Sequence, residues 1–204
     1  MVWSFSYDPL GSSYPLAEIV EGPVDALELV DPTPDGGVGL RGSVMFSGRP
    51  VKPETVPRVI QWKSRQKIGD YVGAWVATVS DRLRALIEDI EPGVHQFEPV
   101  EFIAKDGSHL EDRWFWQICN RIDSVNREET DWILFRGVLW APDRTKLKPA
   151  AEKIGLVFDT KAIGAACFWH DKHDSNSNYC SDSTHERLIE AGMTGFRFYH
   201  KKQV

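Results

Sequence analysis

The chain has no run of about 18 consecutive apolar residues, so no membrane-spanning helix is expected. Its first residues, MVWSFSYDPLGSSYP, hold neither a basic leader nor an apolar stretch of signal-peptide length, which predicts a cytoplasmic protein. Cysteine is scarce: three in 204 residues, Cys119, Cys167 and Cys180. An odd, small count argues against a disulfide framework and for reduced thiols. Positive charge is short as well, with a net of −6, and phosphate backbones need Lys and Arg, so a nucleic-acid partner is not expected. The catalytic signatures G-x-S-x-G, H-E-x-x-H and G-x4-G-K-[ST] are all absent.

Large rings are plentiful, with 8 Trp and 10 Phe in a chain that is 42% hydrophobic, so a globular core is expected. Such rings fill cores and also favour interfaces. Core packing is the default for Trp114 and Trp116, and the sequence leaves a homodimer open. The charge imbalance is local. Residues 79–131 hold 13 Asp/Glu against 6 Lys/Arg, while the remainder holds 17 against 18. A face of this kind suits a basic partner and speeds encounter with it, although most acidic stretches only keep a surface solvated. The candidate partner-binding acids are Glu88, Asp89, Glu91, Glu98, Glu101, Asp123, Glu128, Glu129 and Asp131. Pairs such as Glu98/Glu101 and Glu128/Glu129 could do acid–base work only if burial shifted them.

The first 75 residues are rich in turn formers, with DPTPDGGVGLRG at 31–42 and SGRPVKPETVP at 47–57. Between and around them VWSFSY, LAEIV, GSVMF and RVIQW read as short strands. Residues 1–75 therefore form a loop-rich β region and 76–204 an α+β domain, or the two form one continuous domain. From Ser80, an N-cap type, Leu83, Leu86, Ile87 and Ile90 recur at helical spacing until Pro92-Gly93, predicting a helix over about 81–91. Phe97, Val100 and Phe102 form a strand that turns at Lys105-Asp106-Gly107 into a second strand running from Trp114 to Ile122. DWILFRGVLW reads as a third strand, and KIGLVFDTKAIGAACFW as one or two more. Ser183 and Glu186 have capping-box spacing for a helix over about 182–191, with Leu188 and Ile189 inward. Gly192 ends it, and TGFRFYH alternates as a last strand. The helix–Gly–strand unit echoes the earlier one. The fold class is α+β, a mixed, mostly antiparallel sheet with two principal helices.

GVGLRG at 37–42 matches G-x-G-x-x-G, but it neither follows a strand nor opens a helix, so it reads as a loop. Cys167, His170, His173 and Cys180 are types that bind zinc, spaced C-x2-H-x2-H-x6-C. They lack the paired C-x2-C unit of strong zinc motifs, so the favoured reading is a buried strand end followed by a hydrophilic loop, HDKHDSNSN. Cys119 would act as a nucleophile only if exposed beside a base such as His95 or His109; a buried thiol is the simpler reading.

VSDRLRALIEDIEPGVHQFEPVEF, then DG…RWFWQICNRIDSV, then FWHDKH…CSDSTHERLIEAGMTGFRF, together resemble the immunity-protein-eleven family, whose members are encoded beside bacterial polymorphic toxins. The resemblance spans about residues 62–200 and is strongest at 79–102, 114–125 and 167–198. Ser80 and Leu83 match its first helix start. Pro92, Gly93 and His95 match the turn that follows. Cys119, Arg121 and Asp123 match a strand end, as do Trp169 and Asp171. Ser181, Asp182, Gly192, Gly195 and Phe196 match the last helix and strand. His170 stands where relatives often carry Arg, which a fixed zinc ligand would not allow. The resemblance implies a cytoplasmic, non-catalytic inhibitor without cofactor or metal, which occludes a cognate toxin; the acidic 79–131 stretch would fit a basic, nuclease-like one. The competing readings are a metal-dependent or cysteine-based enzyme and a non-catalytic ligand-binding or scaffold domain.

Overall fold

The computed structural model describes residues 1–8, 17–22, 27–40, 44–73, 76–143, 145 and 155–204. One six-stranded sheet has the order β2 (Ala17–Glu21), β3 (Val59–Trp62), β6 (Gln96–Ile103), β7 (His109–Gln117), β5 (Ala77–Val79), β4 (Tyr71–Gly73). A second has the order β11 (Val157–Phe158), β14 (Phe196–Gln203), β1 (Val2–Tyr7), β13 (Asn178–Ser181), β12 (Phe168–Asp171), β8 (Arg121–Ile122). The strands β9 (Trp132–Phe135) and β10 (Leu139–Pro142) form a separate hairpin. Three pairings are parallel, β3 with β6, β8 with β12 and β11 with β14; the other pairings are antiparallel. The fold is α+β with mixed, mostly antiparallel sheets, as expected from the sequence.

The two main helices are built alike. In α1 (Asp81–Ile90) the Ser80 hydroxyl accepts the Leu83 N–H, and Leu83 and Ile87 are buried. In α3 (Asp182–Glu190) the Ser181 hydroxyl accepts the Thr184 N–H, and Thr184 and Leu188 are buried. The cap of the second helix is thus Ser181 rather than Ser183, and Ile189 faces water at 56% exposure. Both helices press the same core, in which Leu83, Ile87 and Leu188 meet Phe5, Trp116 and Phe168. Gly195 ends the turn after α3 at φ +91°, where a Cβ would lie 2.0 Å from the Tyr71 carbonyl oxygen, so only glycine fits.

Four local expectations are corrected. Val44–Phe46 is a 3-10 turn closed by the Ser47 N–H to Val44 carbonyl bond, not a strand, with residues 42 and 43 of that stretch outside the described residues. The strand from Trp114 breaks after Gln117, because the Cys119 N–H turns to His95; the chain then crosses from one sheet to the other as β8. Residues 131–140 fold back on themselves, since Arg136 and Gly137 both take positive φ (53° and 70°) and close the β9–β10 turn. Within the stretch expected to be strand, Asp159 caps a one-turn helix, α2 (Thr160–Ile163); residues 153 and 154 of that stretch lie outside the described residues.

Candidate functional site

The cysteines and histidines singled out from the sequence are spread through the fold, each held by its own neighbours. Cys180 is fully buried in the core beneath the two helices, and burial drives its thiol far up. Cys167 lies just before β12, its thiol raised by burial and by the Glu91 charge. His170 and His173 are buried, not part of a solvated loop as their polar neighbours suggested, at 1% and 3% exposure. Each is held by a backbone carbonyl: the His170 Nδ1 lies 3.1 Å from Ser177 O and the His173 Nδ1 2.8 Å from Val138 O. A carbonyl only accepts, so Nδ1 carries the proton in both. Among the described residues no three His, Cys, Asp or Glu side chains converge as metal ligands.

Asp171, between these histidines, is also fully buried. It accepts the Ser124 N–H and hydroxyl, the Trp140 indole N–H at 3.1 Å and the His173 N–H at 2.8 Å. The carboxylate therefore ties β12, the segment after β8, and β10 together. Trp169 adds a bond from its indole to the Ser124 hydroxyl at 3.2 Å.

Burial of His170 has a measurable consequence. It lowers the imidazole to about 4, against Asp174, which favours the charged form. The unfolded chain then takes up a proton near pH 6.5 that the folded chain refuses until about pH 4. More protons bind the unfolded state in that window, so stability falls as pH drops through it, by up to about 3 kcal/mol. Denaturant titrations of wild type and His170→Gln across pH 7 to 5 should show the wild type losing stability faster. Parallel pH profiles would refute the assignment.

Cys119 and His95 do come together, as the nucleophile reading required, but with the wrong atoms. The His95 Nδ1 accepts the Cys119 backbone N–H at 3.2 Å, and the thiol turns to the Gln117 carbonyl. Burial pushes that thiol up to about 11, leaving almost no thiolate at neutral pH. His95 Nε2 instead meets Glu91 at 2.8 Å, with both side chains buried. Glu91 also accepts the Cys167 N–H at 2.8 Å, the Phe168 N–H at 2.9 Å and the Asn120 amide at 3.1 Å. It sits at the C-terminus of α1, just before Pro92 and Gly93, and joins that helix to the start of β12. This differs from the expectation of a partner-facing acid: every neighbour of its carboxylate is internal.

The other candidate acids are dispersed. Asp89 pairs with Arg187 of α3, and Glu88 accepts the Gly93 N–H. Asp123 pairs with Arg127 at 2.6 Å and lies 3.6 Å from His173. Asp131 accepts the Gly155 N–H. Glu128 and Glu129 are exposed in the loop before β9. Glu98 and Glu101 line a groove of about 700 Å3 on β6 and β7, together with Asp81, Asp112, Arg58 and Trp114. In the strand register Glu101 lies directly opposite Asp112. Like charges so placed destabilise a sheet, and the fold tolerates the cost. Arg113, in the same strand, does not relieve it, because it is buried and paired with Glu111. The Arg84 guanidinium stacks 3.7 Å above the Trp114 ring, whose N–H bonds Asp81 at 2.6 Å.

Arg121, matched above only to a strand end, and Asp70, which the sequence reading passed over, hold this arrangement together. Arg121 forks onto Asp35 at 2.7 and 3.0 Å and binds the Ser47 carbonyl, fixing the glycine-rich loop against β8. Gly37 passes so close to this fork that a Cβ would lie 2.3 Å from the guanidinium. The same Cβ would lie 2.3 Å from the Lys172 carbonyl oxygen, which cannot move aside as a side chain can, so this position of the loop needs glycine. Asp70 takes bonds from Arg82, Ser80 and Thr194, which links the start of α1 to the turn before β14. Burial raises its carboxyl, but these donors outweigh burial and hold it well below the usual range.

The molecule is thus an α+β protein of two six-stranded sheets and a separate hairpin, with its cysteines buried or bonded to carbonyls and its candidate acids divided between interior contacts and dispersed surface positions. The chain belongs to the Immunity protein family (Imm11), whose family model matches residues 28–203. No individual curated protein matches it. No helix among the described residues is long and apolar enough to cross a membrane.

Proposed function

We propose that the protein binds a cognate bacterial toxin domain and neutralises it by occupying its working surface, one copy per toxin, without turnover or cofactor, in the cytoplasm. The observation that carries this reading is membership of an immunity protein family across residues 28–203. The chemistry of the interior agrees with it. The Cys119 thiol is pushed to about 11, and His95, its neighbour, is already engaged by Glu91.

The toxin domain fits best as a basic, nuclease-like protein. Asp81, Glu98, Glu101 and Asp112 in one groove, and Glu128 and Glu129 in the loop before β9, offer carboxylates to Lys and Arg of a partner. Charges so arranged raise association rates and select partners more than they add affinity.

Two measurements test the reading. Co-expression of this chain should restore growth to cells making the toxin encoded by the adjacent gene. In stopped-flow, the association rate of the two purified proteins should drop about tenfold or more between roughly 0.05 and 0.5 M salt. A rate indifferent to salt would remove the electrostatic part, and absence of rescue would remove the immunity role.

A further inference from the structure

The β9–β10 hairpin stands apart from both six-stranded sheets and turns apolar side chains to water. Ile133, Phe135 and Val138, three large hydrophobic residues within a six-residue span, are 42%, 49% and 38% exposed. The alternate residues Trp132, Leu134 and Trp140 pack inward against Val125, Phe158 and Trp169. The inner face therefore anchors the hairpin, and the outer face is not needed for the core. Among the described residues β9 is paired only to β10.

The turn of this hairpin carries a second observation. Arg136 is the one non-glycine residue with positive φ among the described residues, at 53°. Asparagine or glycine takes that conformation at lower cost, and strain of this kind collects at ligand clamps. The strained backbone holds the guanidinium 5.1 Å from the centre of the exposed Phe135 ring. Beside the hairpin, Glu128 and Glu129 are exposed, while the neighbouring Arg127 is already paired with Asp123.

We propose that the outer face of the β9–β10 hairpin is the seat of the toxin. The toxin would present an apolar patch to Ile133, Phe135 and Val138 and basic side chains to Glu128 and Glu129. This rests on the immunity reading above and names the surface that serves it. A basic toxin fits the hairpin better than a second copy of this chain. Two copies would bring two acidic loops to one interface, in molecules that each carry a net charge of −6.

The test is titration calorimetry with the purified toxin domain encoded by the adjacent gene. The triple variant Ile133→Ser/Phe135→Ser/Val138→Ser should bind about 100-fold more weakly or worse, as loss of central apolar anchors does. Its thermal midpoint should stay near that of wild type, because the three side chains face water. Arg136→Gly should raise the midpoint by about 2–4 °C and still weaken binding, a combination that a purely structural turn residue cannot give. Glu128→Lys/Glu129→Lys should slow association and leave the midpoint unchanged. Wild-type affinity in the triple variant overturns the hairpin proposal and leaves the immunity role standing. No binding by the wild-type chain overturns both. If the triple variant keeps toxin affinity but converts a self-associating chain to monomer in sedimentation, the face belongs to a second copy and the proposal fails.

Discussion

Replacing Glu91 with alanine is expected to lower the thermal midpoint by about 10–20 °C, the largest loss from any single acid in the acidic stretch. The carboxylate answers four donors at once: the Cys167 and Phe168 N–H groups, the Asn120 amide and His95 Nε2. Each buried donor left without a partner costs about 1–3 kcal/mol, so the sum is about 4 kcal/mol or more. Glutamine keeps one acceptor oxygen but points an amide at donors, so Glu91→Gln should fall between alanine and wild type. Acid should weaken the same site. Burial raises the Glu91 carboxyl, but His95 and the two N–H groups outweigh burial and hold it below the usual range. A carboxyl depressed in the folded state contributes stability above its unfolded value, and that contribution is lost as pH falls through the folded one. Differential scanning calorimetry of Glu91→Ala, Glu91→Gln and Glu98→Ala would check this. Equal midpoints for the Glu91→Ala and Glu98→Ala variants would show that Glu91 is an ordinary surface acid.

Deleting residues 1–8 should abolish cooperative folding altogether. β1 is an interior strand of its sheet, paired with β13 from Val2 to Phe5 and with β14 from Val2 to Tyr7. Phe5 is 2% exposed, and its ring lies within 5.6–6.2 Å of those of Tyr71, Trp116, Phe168, Phe196 and Phe198. Losing the strand unpairs two neighbours and opens the core between the helices. We propose on the same ground that residues 76–204 do not fold alone. They would lack β1 from one sheet and β2, β3 and β4 from the other. Circular dichroism and denaturant titration of both truncated chains would decide it. A sharp unfolding transition in the 76–204 fragment would establish a separate C-terminal domain.

The features that could be read from the chain are those whose causes lie within a few residues. Ser80 caps its helix through an N–H group three residues on, and the second helix was legible to within two residues of its true cap, Ser181. Leu83 and Ile87 share a face because a helix repeats every 3.6 residues. The hairpin escaped notice for an equally local reason. Its turn has Arg136 where Asn or Gly would announce positive φ, so the alternating residues on either side read as one long strand. The one-turn helix α2 is too short to show a period.

Burial and partnership were settled only by the tertiary structure. Glu91 reads as one acid among many, yet its partners at Cys167 and Phe168 lie 76 and 77 residues away. His170, Asp171 and His173 read as a hydrophilic loop, but groups 31 to 47 residues distant, among them Trp140 and Ser124, draw Asp171 inside. The sequence by itself determined the two main helices, the alternation of several strands, the concentration of acids between residues 79 and 131 and the family likeness, all of which need only local spacing or composition. Which carboxylates face water and which are locked inside depended on long-range contacts, because desolvation is a property of the surroundings a side chain meets once the chain has closed on itself.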